Sequence, residues 1–121
     1  MIELKAIRKG YNGEDVLHGI DLSISDGDFL SIMGRSGSGK STLLNIIGGF
    51  LSPDAGSVLY DGRDLYSLSD AETAHCRSND LGFVFQSFKL IGTLSVEDNI
   101  RLPASLSSLP KEEVERNFKE Y

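Results

Sequence analysis

The sequence predicts an α/β fold that opens with antiparallel strands, and three features predict it. Ile20, Leu22 and Ile24 alternate with Asp21, Ser23 and Ser25, the period of a half-buried strand. Phe29-Leu30-Ser31-Ile32-Met33 is an almost unbroken apolar run that feeds a glycine- and serine-rich segment. From Lys40 onward apolar residues recur at helical spacing, and short apolar runs return at 57–60 and 81–85. Strand, glycine loop, helix, strand, helix, strand is an α/β order.

Each element has a local reason. Residues 2–11 and 16–25 read as strands, and the Asn12-Gly13 turn signal between them predicts a hairpin. Asp26-Gly27-Asp28 is the next turn. The run 29–33 suits a strand buried on both faces, as in a parallel sheet covered by helices. In the helix that starts near Lys40, Leu43, Leu44, Ile46, Ile47 and Phe50 mark the inner face. Gly48-Gly49 weaken its end and Ser52-Pro53-Asp54 closes it.

Ser57-Val58-Leu59-Tyr60 reads as a short strand that ends in Asp61-Gly62. A polar helix is expected over 69–78, with Ser69 and Glu72 spaced as a capping box. Leu81-Gly82-Phe83-Val84-Phe85 reads as a further buried strand, followed by Gln86. Helices are expected at about 95–101 and 111–120, the second opened by Pro110. In that last helix Glu112, Glu113, Glu115 and Glu120 read as a solvated face.

With 121 residues the chain fits a single domain, and no linker, repeat or low-complexity segment divides it. Its formal net charge of −6 disfavours broad adhesion to nucleic acid or anionic lipid. Cys76 is the sole cysteine, so no intramolecular disulfide can form, and its neighbour His75 does not make a metal site with it. The N-terminus lacks the pattern of a signal peptide, and no apolar stretch approaches a membrane span; a cytoplasmic protein is expected.

The densest chemical signal is Gly34-Arg35-Ser36-Gly37-Ser38-Gly39-Lys40-Ser41-Thr42, a full match to G-x-x-x-x-G-K-[ST]. Glycines let backbone amides approach an anion and point together into a concave nest. The helix that follows adds its N-terminal partial positive charge at the same place. Lys40 is suited to the β- and γ-phosphates of a nucleoside triphosphate, and the Ser41 hydroxyl to a Mg²⁺ shell. The side chains of Arg35, Ser36 and Ser38 are expected to face solvent, with only their amides used. A guanine-reading Asn-Lys-x-Asp is absent, which argues against a GTPase, and residues 52–80 lack the arginine-rich lid of a small-molecule kinase.

The residues around this loop resemble the nucleotide-binding domain of ABC transporters. The likeness lies in Tyr11, Val16-Leu17-His18-Gly19-Ile20-Asp21-Leu22, Gly34–Phe50, Pro53-Asp54-Ala55-Gly56-Ser57-Val58 and Gly82-Phe83-Val84-Phe85-Gln86, so it runs from residue 1 to about 103. Gly82–Leu90 and Asp98-Asn99-Ile100-Arg101-Leu102-Pro103 look most like the ATPases of lipoprotein-release, macrolide-export and antimicrobial-peptide-resistance systems.

The resemblance implies a P-loop NTPase with a RecA-like core and an N-terminal antiparallel β subdomain, truncated in the helical subdomain. The β subdomain and core would occupy about 1–90, and the Q-loop and start of the helical subdomain about 86–121. It implies that Tyr11 stacks on adenine with Val16 beside the base or ribose, and that Thr42 binds the α-phosphate. Gln86 would be the Q-loop glutamine, touching Mg²⁺ or the attacking water. The implied partners are transmembrane permease subunits and a second ATPase domain, which place the protein peripherally on the inner face of the cell membrane. No nucleic-acid partner is expected.

Several parts of the family's hydrolytic machinery have no match here. There is no Ser-Gly-Gly-Gln signature and no apolar run closed by Asp-Glu, and neither His18 nor His75 stands where a switch histidine would. A complete domain of this type is roughly twice as long, beyond the usual single-domain size. The expectation is therefore ATP binding, with hydrolysis assigned to a complete domain. The alternative is a truncated nucleotide-binding or interaction fragment that does not hydrolyse.

Overall fold

The computed structural model describes residues 1–120, with side chains as far as residue 118. The side chain of Glu120, expected on a solvated face, and Tyr121 lie outside the described residues. The chain divides into two compact units, Met1–Thr73 and a second from Ala74 onward, each described by itself.

The first unit is built on a hairpin. Strands β1 (Ile2–Tyr11) and β2 (Glu14–Ile24) pair antiparallel from Ile2↔Ile24 to Tyr11↔Glu14. Asn12 and Gly13 take φ of 53° and 86°, the mirror-image turn whose twist matches that of the flanking strands. Strand β3 (Ala55–Tyr60) lies on the other side of β1, and the short β4 (Arg63–Asp64), absent from the sequence reading, pairs with β3. The order is β2-β1-β3-β4, antiparallel throughout.

Leu4 and Ile7 are both buried, although residues three apart in a regular strand face opposite sides. A register shift between them resolves this: Ala6 turns to φ 51° and gives its N–H to Asp21 Oδ1 at 2.8 Å. Gly56 of β3 lies against that bulge, with φ +93°. A Cβ there would stand 2.4 Å from the Lys5 carbonyl oxygen, so the position admits only glycine.

Helix α1 (Lys40–Ile47) places Leu43 and Ile46 in a core with Leu4, Ile7, Leu17, Val58 and Leu65. Its last carbonyls, which lack helical partners, are met by tyrosines. The Tyr60 hydroxyl donates to the Ile47 carbonyl at 2.5 Å, and the Tyr66 hydroxyl lies 2.6 Å from the carbonyl oxygens of both Ile46 and Leu51.

Three expectations fail. Residues 29–33 form no strand, with Phe29 98% and Met33 87% exposed, and 81–85 form none either, with Val84 fully exposed. The physical reason is shared: a strand of a parallel sheet exists only through ladder bonds to neighbours, and no strand of the observed sheet pairs with either run. Leu44 and Phe50, expected on the inner face of α1, are half exposed because Leu43 and Ile46 alone point into the core.

Helix α2 (Asp70–Asn79) is opened by the expected capping box. Ser69 N–H donates to Glu72 Oε2 at 2.9 Å, and Glu72 N–H reaches back to Ser69 Oγ at 3.4 Å.

In the second unit, α3 (Val96–Ser105) starts at the Ser95 cap, whose hydroxyl oxygen accepts from Asp98 N–H at 3.1 Å, and runs four residues beyond the expected 101. Helix α4 (Lys111–Glu120) follows Pro110. Arg101 ties the two helices together. It donates to Glu97 at 2.8 Å within α3 and to Glu115 of α4, and its guanidinium lies 3.8 Å from the centre of the Phe118 ring. Among the described residues no helix is long and apolar enough to cross a membrane.

Candidate functional site

A cavity of about 340 Å³ in the first unit is lined by Tyr11, Val16, Ser36, Gly37, Gly39, Lys40, Ser41 and Thr42. Residues from the end of β1, the start of β2 and the glycine loop thus share one wall, as the hairpin brings its turn end to the start of α1. Gly39 fixes how close they come. It caps α1 with φ +87°, and a Cβ on it would stand 2.8 Å from Val16 Cγ1 and 2.9 Å from Leu17 Cδ2. Any other residue would be strained in backbone and would push the loop off β2.

The loop is held by its own lysine. Lys40 Nζ donates to the carbonyls of Gly34 at 2.9 Å and Arg35 at 2.7 Å, and Ser38 N–H closes a turn on Arg35 at 3.2 Å. An ammonium carries three N–H donors, so one remains for an oxygen in the cavity. At the helix start no side chain caps α1, and its first turn carries no acid. The first-turn amides and the dipole therefore face the cavity with no competing carboxylate. In a chain of net charge −6 this is a locally electropositive concavity.

Gly34 and Arg35 enter through their carbonyls, not as lining, and Ser36 and Ser38 are exposed. Tyr11 is 46% exposed, with Lys9 Nζ 5.9 Å from its ring centre, so its ring is accessible. Gln86 is an exposed turn residue of the second unit, whereas the cavity lining comes wholly from the first.

No sequence signal pairs Lys9 with Asp54. Lys9 Nζ donates to Asp54 Oδ1 at 2.6 Å, and Gly10 N–H donates to Asp54 Oδ2 at 2.8 Å. The Lys9 and Gly10 hydrogen bonds hold the Asp54 carboxyl below its usual range. Only the pairing of distant residues reveals this contact. Burial, helped by Asp80, raises the Cys76 thiol and keeps it protonated, and no group of His, Cys, Asp or Glu among the described residues is placed to hold a metal ion.

Residues 17–121 match the family model of the ABC transporter. This chain belongs to the ABC transporter family. It is 47% identical over 117 residues to the uncharacterized ABC transporter ATP-binding protein YknY of Bacillus subtilis (strain 168), covering 93% of this chain and 51% of that protein. It is also 47% identical over 108 residues to the lipoprotein-releasing system ATP-binding protein LolD 1 of Rhodopseudomonas palustris (strain ATCC BAA-98 / CGA009), covering 85% and 48%.

Among solved structures it is similar to MJ0796, a bacterial ABC transporter cassette determined as a dimer. The TM-score is 0.87 at 40% identity, over 99% of this chain and 55% of that one. A second structure of the same cassette is a post-hydrolysis state bound to ADP and Pi. The chain spans about half the length of YknY and LolD 1. The fold is that of a P-loop ABC cassette, and the family binds ATP.

Proposed function

We propose that this chain binds ATP with Mg²⁺ on the Gly34–Thr42 loop, as the nucleotide-gripping portion of an ATPase that energises an ABC transporter. The observation that carries the reading is the common cavity of Tyr11, Val16 and the loop. An aromatic face, an amide-rich helix start and a lysine stand together there, matching the base and the phosphates of one ligand.

In this reading the loop amides, including those of Arg35, Ser36, Gly37, Ser38 and Gly39, donate to phosphate oxygens, and Lys40 serves the β- and γ-phosphates. Thr42 holds the α-phosphate, and Tyr11 stacks on adenine with Val16 at its side. Ser41, whose hydroxyl is a ligand type suited to Mg²⁺, lines the same cavity. Bound Mg²⁺ supplies neutralisation of the phosphate charge.

The kinship with LolD 1 supports a role in lipoprotein release, and the dimeric cassette supports pairing with a second ATPase domain. Transmembrane permease subunits would hold the pair at the inner face of the membrane.

Equilibrium titration of the 121-residue chain with ATP and Mg²⁺ tests the site. Lys40→Ala is expected to weaken binding about 10-fold or more, the effect of losing a charged hydrogen bond to a phosphate. Equal affinity in the variant would refute the assignment. Hydrolysis by this chain is expected to be negligible, because no general base of the Asp-Glu type follows an apolar run in it. Phosphate release that Lys40→Ala abolishes would contradict that.

A further inference from the structure

Pairing between β1 and β3 ends at Arg8↔Ala55, three residues before Tyr11. On its other side β1 shifts register against β2 between Lys9 and Gly10 before Gly10↔Asp15 and Tyr11↔Glu14 resume. The strand end that carries Tyr11 is thus irregular on one side and without a strand on the other. A backbone in that state frays unless another group takes its donors.

Asp54 is that group. Its own N–H donates to the Arg8 carbonyl at 2.9 Å, its Oδ2 accepts the Gly10 N–H at 2.8 Å, and its Oδ1 accepts from Lys9 Nζ at 2.6 Å. One residue thereby extends the β3 side of the sheet by two hydrogen bonds along β1. The lysine it holds is largely covered, with 15% of its side chain exposed, and its ammonium stands 5.9 Å from the centre of the Tyr11 ring. Three bonds thus hold the three residues before Tyr11, and the lysine cation stands over the ring of Tyr11, which lines the cavity.

We infer that Asp54 is a positioning residue for the base-binding face: it clamps Arg8, Lys9 and Gly10 so that Tyr11 is presented toward the phosphate loop. Its hydrogen bonds run to Arg8, Lys9 and Gly10, so its effect falls on recognition of the base and leaves the grip on phosphates. The inference rests on the reading of Tyr11 as the platform for adenine.

The test compares two ligands that share a triphosphate chain, ATP, which carries adenosine on it, and inorganic tripolyphosphate, which carries none, each titrated with Mg²⁺ against the full chain. The readout is the ratio of their affinities. Tyr11→Ala should collapse the preference for ATP by about 5-fold or more, the scale of a lost base stack. Asp54→Ala should reduce it about 3- to 10-fold while tripolyphosphate affinity stays within about twofold. Asp54→Asn keeps an acceptor for Gly10 N–H but loses the Lys9 ion pair. It should fall between wild type and Asp54→Ala, and it serves if the alanine variant does not fold.

A double variant with Tyr11→Ala should lose no further preference, since both act through one ring. If Tyr11→Ala collapses the preference and neither Asp54 variant changes it, the inference is overturned while the site reading stands. If the Asp54 variants weaken both ligands equally, Asp54 is merely structural and the inference is again overturned. If Tyr11→Ala itself leaves the ratio unchanged, the reading of the platform fails and this inference falls with it.

Discussion

The phosphate loop and the apolar run that leads into it are consecutive in sequence, yet only one of them is built. Residues 34–42 make a turn, a lysine-held ring and a helix start packed on β2, all with partners within the first unit. Residues 29–33 form an almost unbroken apolar run, yet they pair in no ladder and Phe29, Leu30 and Met33 lie exposed. The loop's interactions close over a few residues, whereas a buried parallel strand needs neighbours on both sides before it gains anything. Apolar character states a need for burial; it does not supply the surface that meets it.

Ile46→Ala removes a fully buried side chain at the centre of the built region. It should cost about 2–5 kcal/mol, read as a lower urea midpoint. Gly39→Val forces a branched side chain into φ +87° and against Val16. A cost of about 1–3 kcal/mol is expected, together with weakened ATP binding in the same titration.

A smaller effect is expected from acid. Asp54 is held below the usual carboxylate range by Lys9 and Gly10, so the stability it adds is complete above its unfolded value of about 3.9. It is lost as pH falls through the lower folded value. Between pH 6 and pH 3 the urea midpoint should therefore fall further in wild type than in Asp54→Asn. Equal falls would mean that the clamp contributes nothing to stability.

The smallest change belongs to the unbuilt run. Phe29→Ser should shift stability by less than about 0.5 kcal/mol, as for other exposed positions. A loss comparable to that of Ile46→Ala would mean that 29–33 is packed after all.

Much of the site was legible in the residues because its signals are local. Asn12-Gly13 announced the hairpin, Ser69 with Glu72 announced a helix start, and the spacing from Gly34 to Thr42 announced a glycine-rich turn that runs into a helix. The meeting of Tyr11 and Val16 with that nest came from family likeness, and the fold places all three on one cavity.

What stayed hidden depends on distant partners. The burial of Leu43 and Ile46 but not Leu44 depends on which side of α1 the sheet covers, and periodicity gives only the width of the stripe. The two-residue β4 is too short for any pattern. The bond from Gly10 to Asp54 joins residues 44 positions apart and follows from no motif.

The central claim is that ATP is gripped by the loop and read by Tyr11. Heteronuclear NMR of the isotope-labelled chain, titrated with ATP and Mg²⁺, tests it most directly. Shifts are expected to concentrate in the amides of Gly37–Thr42 and in the Tyr11 ring, with the ring shifts absent when tripolyphosphate replaces ATP. Shifts confined to other residues, or none at saturating ATP, would contradict it.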